Sequence, residues 1–416
     1  MADSSIPGFY EKSRDERLGL VADFAGLSGE ELGILRGGGG IDFERADKMV
    51  ENAIGTFSLP LGIATNFKID GRDCLVPMAI EEPSVIAAAS KGAKTARVCG
   101  GFKTHADRSY STGQIQVLGA GGGSAQKIAD SEARILELAN QQSNTLSKTG
   151  RGAKKVSCRE IDAESGRMLI VELLVDVGDA MGANITNTMC EAVSPLVEEI
   201  TSGRALLRIL SNYSVQRLAR ASATFASEAV GGEDTINDII LANEFADADV
   251  YRAVTHNKGV MNGVVSVANA TGQDSRAIEA AANAYAARSG RYRSLTVWKK
   301  DGQGNLVGEL ELPLSVGIVG GIANVHPLAR VCTKILGVSS AQELACVMVA
   351  AGLAQNYSAI RALVTEGIQK GHMRLHARNL AAAAGAAPGQ IDDLVQKMIQ
   401  HKKISLDGAR ELLGQI

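Results

Sequence analysis

The sequence has no charge imbalance, no long apolar run and no close pair of cysteines, and each absence removes a class of function. Lysine and arginine number 43 against 46 aspartates and glutamates, a formal net charge of -3, which argues against nucleic acid as the main partner. The longest weakly polar run that the eye picks out, LPLSVGIVGGIANV, is too short and too rich in Gly and Pro to span a bilayer. The opening MADSSIPGFYEKSRDERLG has none of the apolar core of a signal peptide. A cytoplasmic protein with no membrane partner is therefore expected. Cys74, Cys99, Cys158, Cys190, Cys332 and Cys346 are scattered, so neither a zinc knuckle nor a redox CxxC is present, and reduced, mostly buried thiols are expected. No internal repeat is apparent.

What is there fits a soluble globular chain, with 45% hydrophobic and 21% charged residues. At 416 residues it exceeds the size at which one core stops growing, so two or three domains are expected. Residues 12 to 36 read as short charged helices, and a further helix starts near Asp42. LGIATNFKIDGRDCLVPMAI reads as two strands turning at Asp70-Gly71. EEPSVIAAASKGAKTARVCGG reads as a helix with Pro83 in its first turn. From about 107 to 211 the pattern is strand, helix, strand, strand, helix, strand, a compact α+β unit. A long helical and Gly-rich region runs on to about 367, and AAAAGAAPGQ then separates two terminal helical pieces. In the last of these Ile391, Leu394, Val395, Met398 and Ile399 fall at helical spacing.

Several short motifs carry chemistry, each with a plainer reading beside it. GAGGGS, Gly119 to Ser124, sits between a strand and a helix, where a glycine loop can hold a phosphate, but it lacks the GxGxxG spacing and reads better as a flexible turn. His372 and His376 in GHMRLHARN are four apart, the spacing of two metal ligands. No third ligand or HExxH glutamate accompanies them, so a general acid or a packed ring is the better reading and no metal is expected. Glu81 and Glu82 precede a helix and suit its dipole, although only one of two adjacent residues needs to cap and the other is free to face a pocket. Lys258 in THNKGVMNG has no carboxylate nearby, amides at Asn257 and Asn262, and glycines at 259 and 263 that let backbone or ligand approach. DVGDAMGAN, Asp176 to Asn184, and ATGQD, Ala270 to Asp274, add further carboxylates at element ends.

Together ENAIGTF (51 to 57), EEPS (81 to 84), DAMGAN (179 to 184), THNKG (255 to 259), ATGQD (270 to 274) and GHM (371 to 373) resemble the class II hydroxymethylglutaryl-CoA (HMG-CoA) reductases, in family order along the whole chain. The resemblance implies interconversion of HMG-CoA with mevalonate and free coenzyme A by two hydride transfers. It implies four catalytic residues: Lys258 for the developing oxyanion, Glu82 as proton donor at the aldehyde stage, Asp274 linking lysine and glutamate, and His372 protonating the departing thiolate. It places Ser84, Arg252 and Asn262 on the hydroxymethylglutaryl group, and Asp179, Met181, Gly182, Asn184 and Asn212 at the dinucleotide.

The implied fold is an α+β multidomain chain. A large, mainly helical HMG-CoA-binding domain (1–106 and 212–367) holds an inserted ferredoxin-like, non-Rossmann cofactor domain (107–211), and a helical flap (368–416) carries His372. A homodimer, or a multiple of it, with interfacial active sites is expected. NADPH is expected to be favoured, with NADH possible. In NAD-using members the segment matching ANQQS ends in aspartate, and here the position is Ser143, followed by Lys148, Arg151, Lys154 and Lys155. The rival reading is a thiolase-type CoA-dependent acyltransferase with a cysteine nucleophile, although no cysteine has a histidine near it in sequence.

Overall fold

A computed structural model describes residues 3–321, 325–367, 377–387 and 389–414. The Asp70-Gly71 pair turns β1 (Leu61–Ile69) onto β2 (Arg72–Ala79), both turn residues having the positive φ that a tight hairpin requires. With β3 (Phe102–Ala106), β8 (Leu218–Phe225), β9 (Thr296–Lys300) and β10 (Leu306–Pro313) they form a six-stranded sheet ordered β2-β1-β3-β8-β10-β9. β8 alternates strictly, burying Ala219, Ala221, Ala223 and Phe225 and turning Arg220, Ser222 and Thr224 outward. β8, β9 and β10 lie inside the stretch expected to be helical. The alanines of β8 and the glycine of β10 hid the period-two pattern, β9 is only five residues long, and pairing within the sheet overrode the local propensity.

The inner face of this sheet packs on a 24-residue helix, Ala341–Val364, buried on almost every side. By length and composition alone this helix is apolar enough to cross a membrane, but 72% of its most apolar window is buried within the protein, as in a core helix. Two glycines let neighbours close on it. A Cβ on Gly92, in the helix Val85–Arg97, would lie 2.3 Å from the Ala354 carbonyl oxygen, and one on Gly263, in the helix Val250–Ala270, 2.5 Å from that of Ala351. The central helix thereby fixes the distance between the elements that carry Glu82 and Lys258.

A second sheet, β5-β6-β4-β7, is antiparallel throughout, with β4 (Tyr110–Leu118), β5 (Gly152–Ala163), β6 (Gly166–Asp176) and β7 (Arg204–Ser211). Its core joins Ile115, Val171 and Leu173 to Ile128, Ile135, Met189 and Val193 of the covering helices. The segment expected as one helix from Ala125 is two, Ser124–Asp130 and Glu132–Asn140, broken at Ser131. GAGGGS is the turn between β4 and the first of them, its Ser124 hydroxyl donating to the Gly121 carbonyl at 2.6 Å. Toward the C-terminus Leu394, Val395 and Met398 of the helix Ile391–Gln400 pack with Ala377, Ala381, Ala409 and Leu412 into a small core of their own.

Candidate active site

Lys258 stands in mid-helix. The helix Val250–Ala270 is started by Asp249, whose carboxylate accepts the Arg252 N–H at 2.7 Å. At 100° per residue, Arg252, Thr255, Gly259 and Asn262 form one stripe, with His256 on one side of it and Lys258 on the other. The two glycines of NKGVMNG do different things. Gly263 admits the central helix, whereas nothing lies within 4 Å of a Cβ placed on Gly259, which keeps the middle of the stripe open.

The carboxylate missing from the lysine's own neighbourhood comes from EEPS. Glu82 lies in the bend after β2 and forms an ion pair with Lys258, while Asn262 Nδ2 donates to the same Glu82 oxygen at 3.5 Å. Neither glutamate caps the following helix. That helix starts at Val85 rather than at Pro83, because Ser84 at its N-cap has φ 75° and its hydroxyl makes no cap bond. A serine in the left-handed region costs on the order of 1 kcal/mol or more. Ser84 in this conformation lines a cavity.

That cavity, about 450 Å³, is lined by Glu82, Ser84, Arg252, Lys258 and Asn262 together with Gln355, Asn356, Ala359 and Leu363 of the central helix. Arg252 is half-buried, its burial disfavours the guanidinium's charge, and it forms an ion pair with no carboxylate among the described residues. A polar cluster therefore faces a cleft that holds the Lys258–Glu82 ion pair and the unpaired Arg252 guanidinium, while Glu366 of the same lining pairs with Lys91 at 3.8 Å. Sequence reasoning did not anticipate the contribution of the central helix, because its lining residues sit in a run that reads as uniform core.

His256, also on the cavity wall, is 2% exposed. Its Nε2 lies 2.6 Å from the Thr296 hydroxyl and 3.1 Å from Asn356 Nδ2. Burial, aided by the Arg252 charge, lowers its pKa to about 3. A histidine depressed in the folded state binds its proton only on unfolding, so this contribution to stability is complete above pH 6.5 and is lost as pH falls below it. Between about pH 5.5 and 4 the unfolding free energy of the wild type is expected to fall with a slope about 1.4 kcal/mol per pH unit steeper than that of a His256→Gln variant. Denaturant titrations across that range check this, and parallel slopes would show that the ring is protonated in the fold.

One expected catalytic residue, Asp274, makes no contact with this cluster in the single chain. Asp274 caps the next helix, accepting the Ala277 N–H at 3.1 Å, and pairs with Arg276 at 3.1 Å. From Lys258 to the end of its helix at Ala270 the rise alone is roughly 18 Å, so Asp274 does not link Lys258 to Glu82 within one copy of the chain. His372, with His376, lies outside the described residues, and the preceding Glu366 and Gly367 line the cavity.

A family model described as hydroxymethylglutaryl-coenzyme A reductase matches residues 13–377. The chain belongs to that family. It is 53% identical over 415 residues to the 3-hydroxy-3-methylglutaryl-coenzyme A reductase of Archaeoglobus fulgidus, covering 99% of this chain and 95% of that one. It is 34% identical to a probable reductase of Borreliella burgdorferi, over 88% of this chain and 86% of the other. Among solved structures, the reductase of Streptococcus pneumoniae superposes with a TM-score of 0.85 at 40% identity, covering 98% and 99% of the two chains. The class II enzyme of that organism bound to NADPH in open conformations gives 0.83 at 40% identity, covering 97% and 99%.

Membership in the reductase family leaves no support for the acyltransferase alternative. No cysteine lines the cavity among the described residues. Burial raises the thiol pKa of Cys74, Cys190 and Cys332 to about 12 and that of Cys158 to about 11, and raises that of Cys346, all away from a reactive thiolate.

Four of the candidate cofactor residues, Asp179, Met181, Gly182 and Asn184, lie at the start of the helix Ala183–Thr201. Gly182 is its N-cap at φ 100°, where a Cβ would strike Val177 at 2.7 Å, so the position requires glycine. No side chain caps the helix, leaving its first N–H groups for a ligand, and Asn184 is exposed in the first turn. The Asp179 carboxylate accepts the Ala341 N–H at 3.0 Å, and buried Arg217 holds the Ala180 and Met181 carbonyls at 3.3 and 3.2 Å, which ties this loop to the large sheet and the central helix. Asn212 is exposed just after β7. Ser143 caps the short helix Asn144–Lys148, accepting the Leu146 N–H at 3.3 Å. Of the basic residues that follow, Arg151 reaches the loop and pairs with Asp179 at 3.5 Å.

Proposed function

We propose that this chain interconverts HMG-CoA with mevalonate and coenzyme A, and that the Lys258–Glu82–Asn262 cluster is where the reacting oxygen sits. The observation that carries the reading is the ion pair itself. A cation and a carboxyl group, placed by two elements locked on one central helix, face the cavity in which Arg252 has no counter-charge. When bound, a nicotinamide cofactor supplies the two hydrides. The uncapped start of the Ala183–Thr201 helix, with Arg151 nearby, suits its phosphates. As the thioester carbonyl is reduced, negative charge develops on oxygen, and the Lys258 ammonium stabilises it most in the transition state. Glu82 is the proton donor to the oxygen at the aldehyde stage. Arg252 engages the distal carboxylate with its fork of donors, and Ser84 and Asn262 orient the rest of the acyl group. His372 protonates the departing thiolate.

The architecture supports assigning residues 107–211 as an inserted ferredoxin-like cofactor domain, 1–106 with 212–367 as the substrate domain and 368–416 as a flap. A strand-helix-strand-strand-helix-strand order with the sheet sequence β5-β6-β4-β7 is that of a ferredoxin-like unit. Asp274 then completes the site from a second copy of the chain, in a homodimer. In favour of such an interface, Ile54 and Phe57 of ENAIGTF are 100% and 93% exposed in the single chain.

NADPH is the favoured cofactor, because Ser143 brings no negative charge against a 2'-phosphate and Arg151 stands close to the same loop. The test of function and of preference is one assay. Loss of the reduced cofactor's near-ultraviolet absorbance should require HMG-CoA, with a kcat/KM higher for NADPH than for NADH. Ser143→Asp is expected to shift the ratio toward NADH. No substrate-dependent loss would refute the reaction, and a tenfold preference for NADH would refute the cofactor assignment alone.

A further inference from the structure

His256 has no role in the chemistry above, yet its surroundings fix its protonation pattern. The Trp298 indole is a donor only, and it donates to Asn356 Oδ1 at 2.9 Å. The amide orientation of Asn356 is therefore settled, and its Nδ2, a donor, faces His256 Nε2 at 3.1 Å. A proton on Nε2 would set two donors against each other. Nε2 is thus bare, accepting from Asn356 and from the Thr296 hydroxyl, and in the neutral ring the proton resides on Nδ1. That Nδ1 is buried and has no hydrogen-bond partner, although the ring lines the cavity. A buried donor without a partner calls for an explanation.

Its place on the helix supplies one. His256 follows Arg252 by one turn on the same face and lies at the edge of the stripe remote from Lys258. We propose that His256 is a substrate-positioning residue whose Nδ1–H donates to the carboxylate end of the acyl group beside Arg252, the Trp298–Asn356–Thr296 relay holding the tautomer. This rests on the function proposed above. Burial disfavours the charged ring, and a second, neutral donor adds direction to the charge of Arg252.

Two amide replacements separate the ring nitrogens: the terminal amide of Gln reaches the place of Nε2, and that of Asn the place of Nδ1. His256→Gln should raise the inhibition constant of free 3-hydroxy-3-methylglutarate by about tenfold to a hundredfold, as for loss of a hydrogen bond to a charged group. It should raise KM for HMG-CoA alike, leave kcat within a few-fold, and leave the KM for NADPH unchanged. His256→Asn should keep most of the affinity. The dimethyl ester of the acid, lacking both carboxylates, should bind wild type and His256→Gln equally. Equal losses for acid and ester, or a larger loss in His256→Asn than in His256→Gln, would overturn the assignment. Wild-type protein that reduces no HMG-CoA would instead overturn the function on which it rests.

Discussion

Lys258→Ala is expected to lower kcat by about a hundredfold or more while moving the melting transition little, the usual consequence of removing one preorganised electrostatic donor. The two halves of that expectation have different causes. The Lys258 side chain is 58% exposed and meets Glu82 across the cleft, and an exposed pair of this kind contributes little to stability. Alanine is also the best helix former for a mid-helix position. In the proposed role the same ammonium stabilises charge that grows only as hydride arrives, so its loss should fall on the transition state rather than on binding, and KM should change much less than kcat. Reduction of free mevaldehyde should suffer too, because that half of the reaction also passes through charge on oxygen. Near-normal turnover with a normal melting curve would return Lys258 to the ordinary helix surface.

The site was legible in the sequence to the extent that its residues lie in short, unusual strings. EEPS, THNKG and DAMGAN each combine a charged residue with glycine or proline, and the elements around them bring Glu82, Ser84, Arg252, Lys258 and Asn262 to one cavity. The hairpin at Asp70-Gly71 was equally visible, since the turn residues and both flanking strands say the same thing. The missed features were non-local. β8, β9 and β10 are strands because each has a partner to pair with, and LARASATF taken alone carries no such information. The glycines beside Lys258 left open whether backbone or ligand approaches there, and Gly263 serves a close helix contact with Ala351, about ninety residues further along the chain. His256 carries its signal in two partners, Thr296 of β9 and Asn356 of the central helix, the latter oriented by Trp298, which no local reading brings together.

Asp274 supports the second large effect, and mixing subunits isolates it. Asp274→Asn should keep the cap of the helix Ser275–Ala286, since asparagine caps as well as aspartate, so the fold is expected to survive. Its activity should nonetheless fall by about a hundredfold or more, as for loss of a charge from the catalytic cluster. Lys258→Ala protein should be equally inactive. Dissociated together and reassembled, the two variants form hybrids. If Asp274 serves the partner's lysine, a hybrid dimer holds one site with both residues intact and one with both lost. With half of the dimers hybrid and one working site in each, about a quarter of wild-type activity should return. If Asp274 instead served the lysine of its own chain, every site in the mixture would lack one residue and no activity would appear. The helix rise between Lys258 and Ala270 argues for the first outcome. A mixture that stays inactive, with hybrid formation verified by mass, would remove Asp274 from the partner's site.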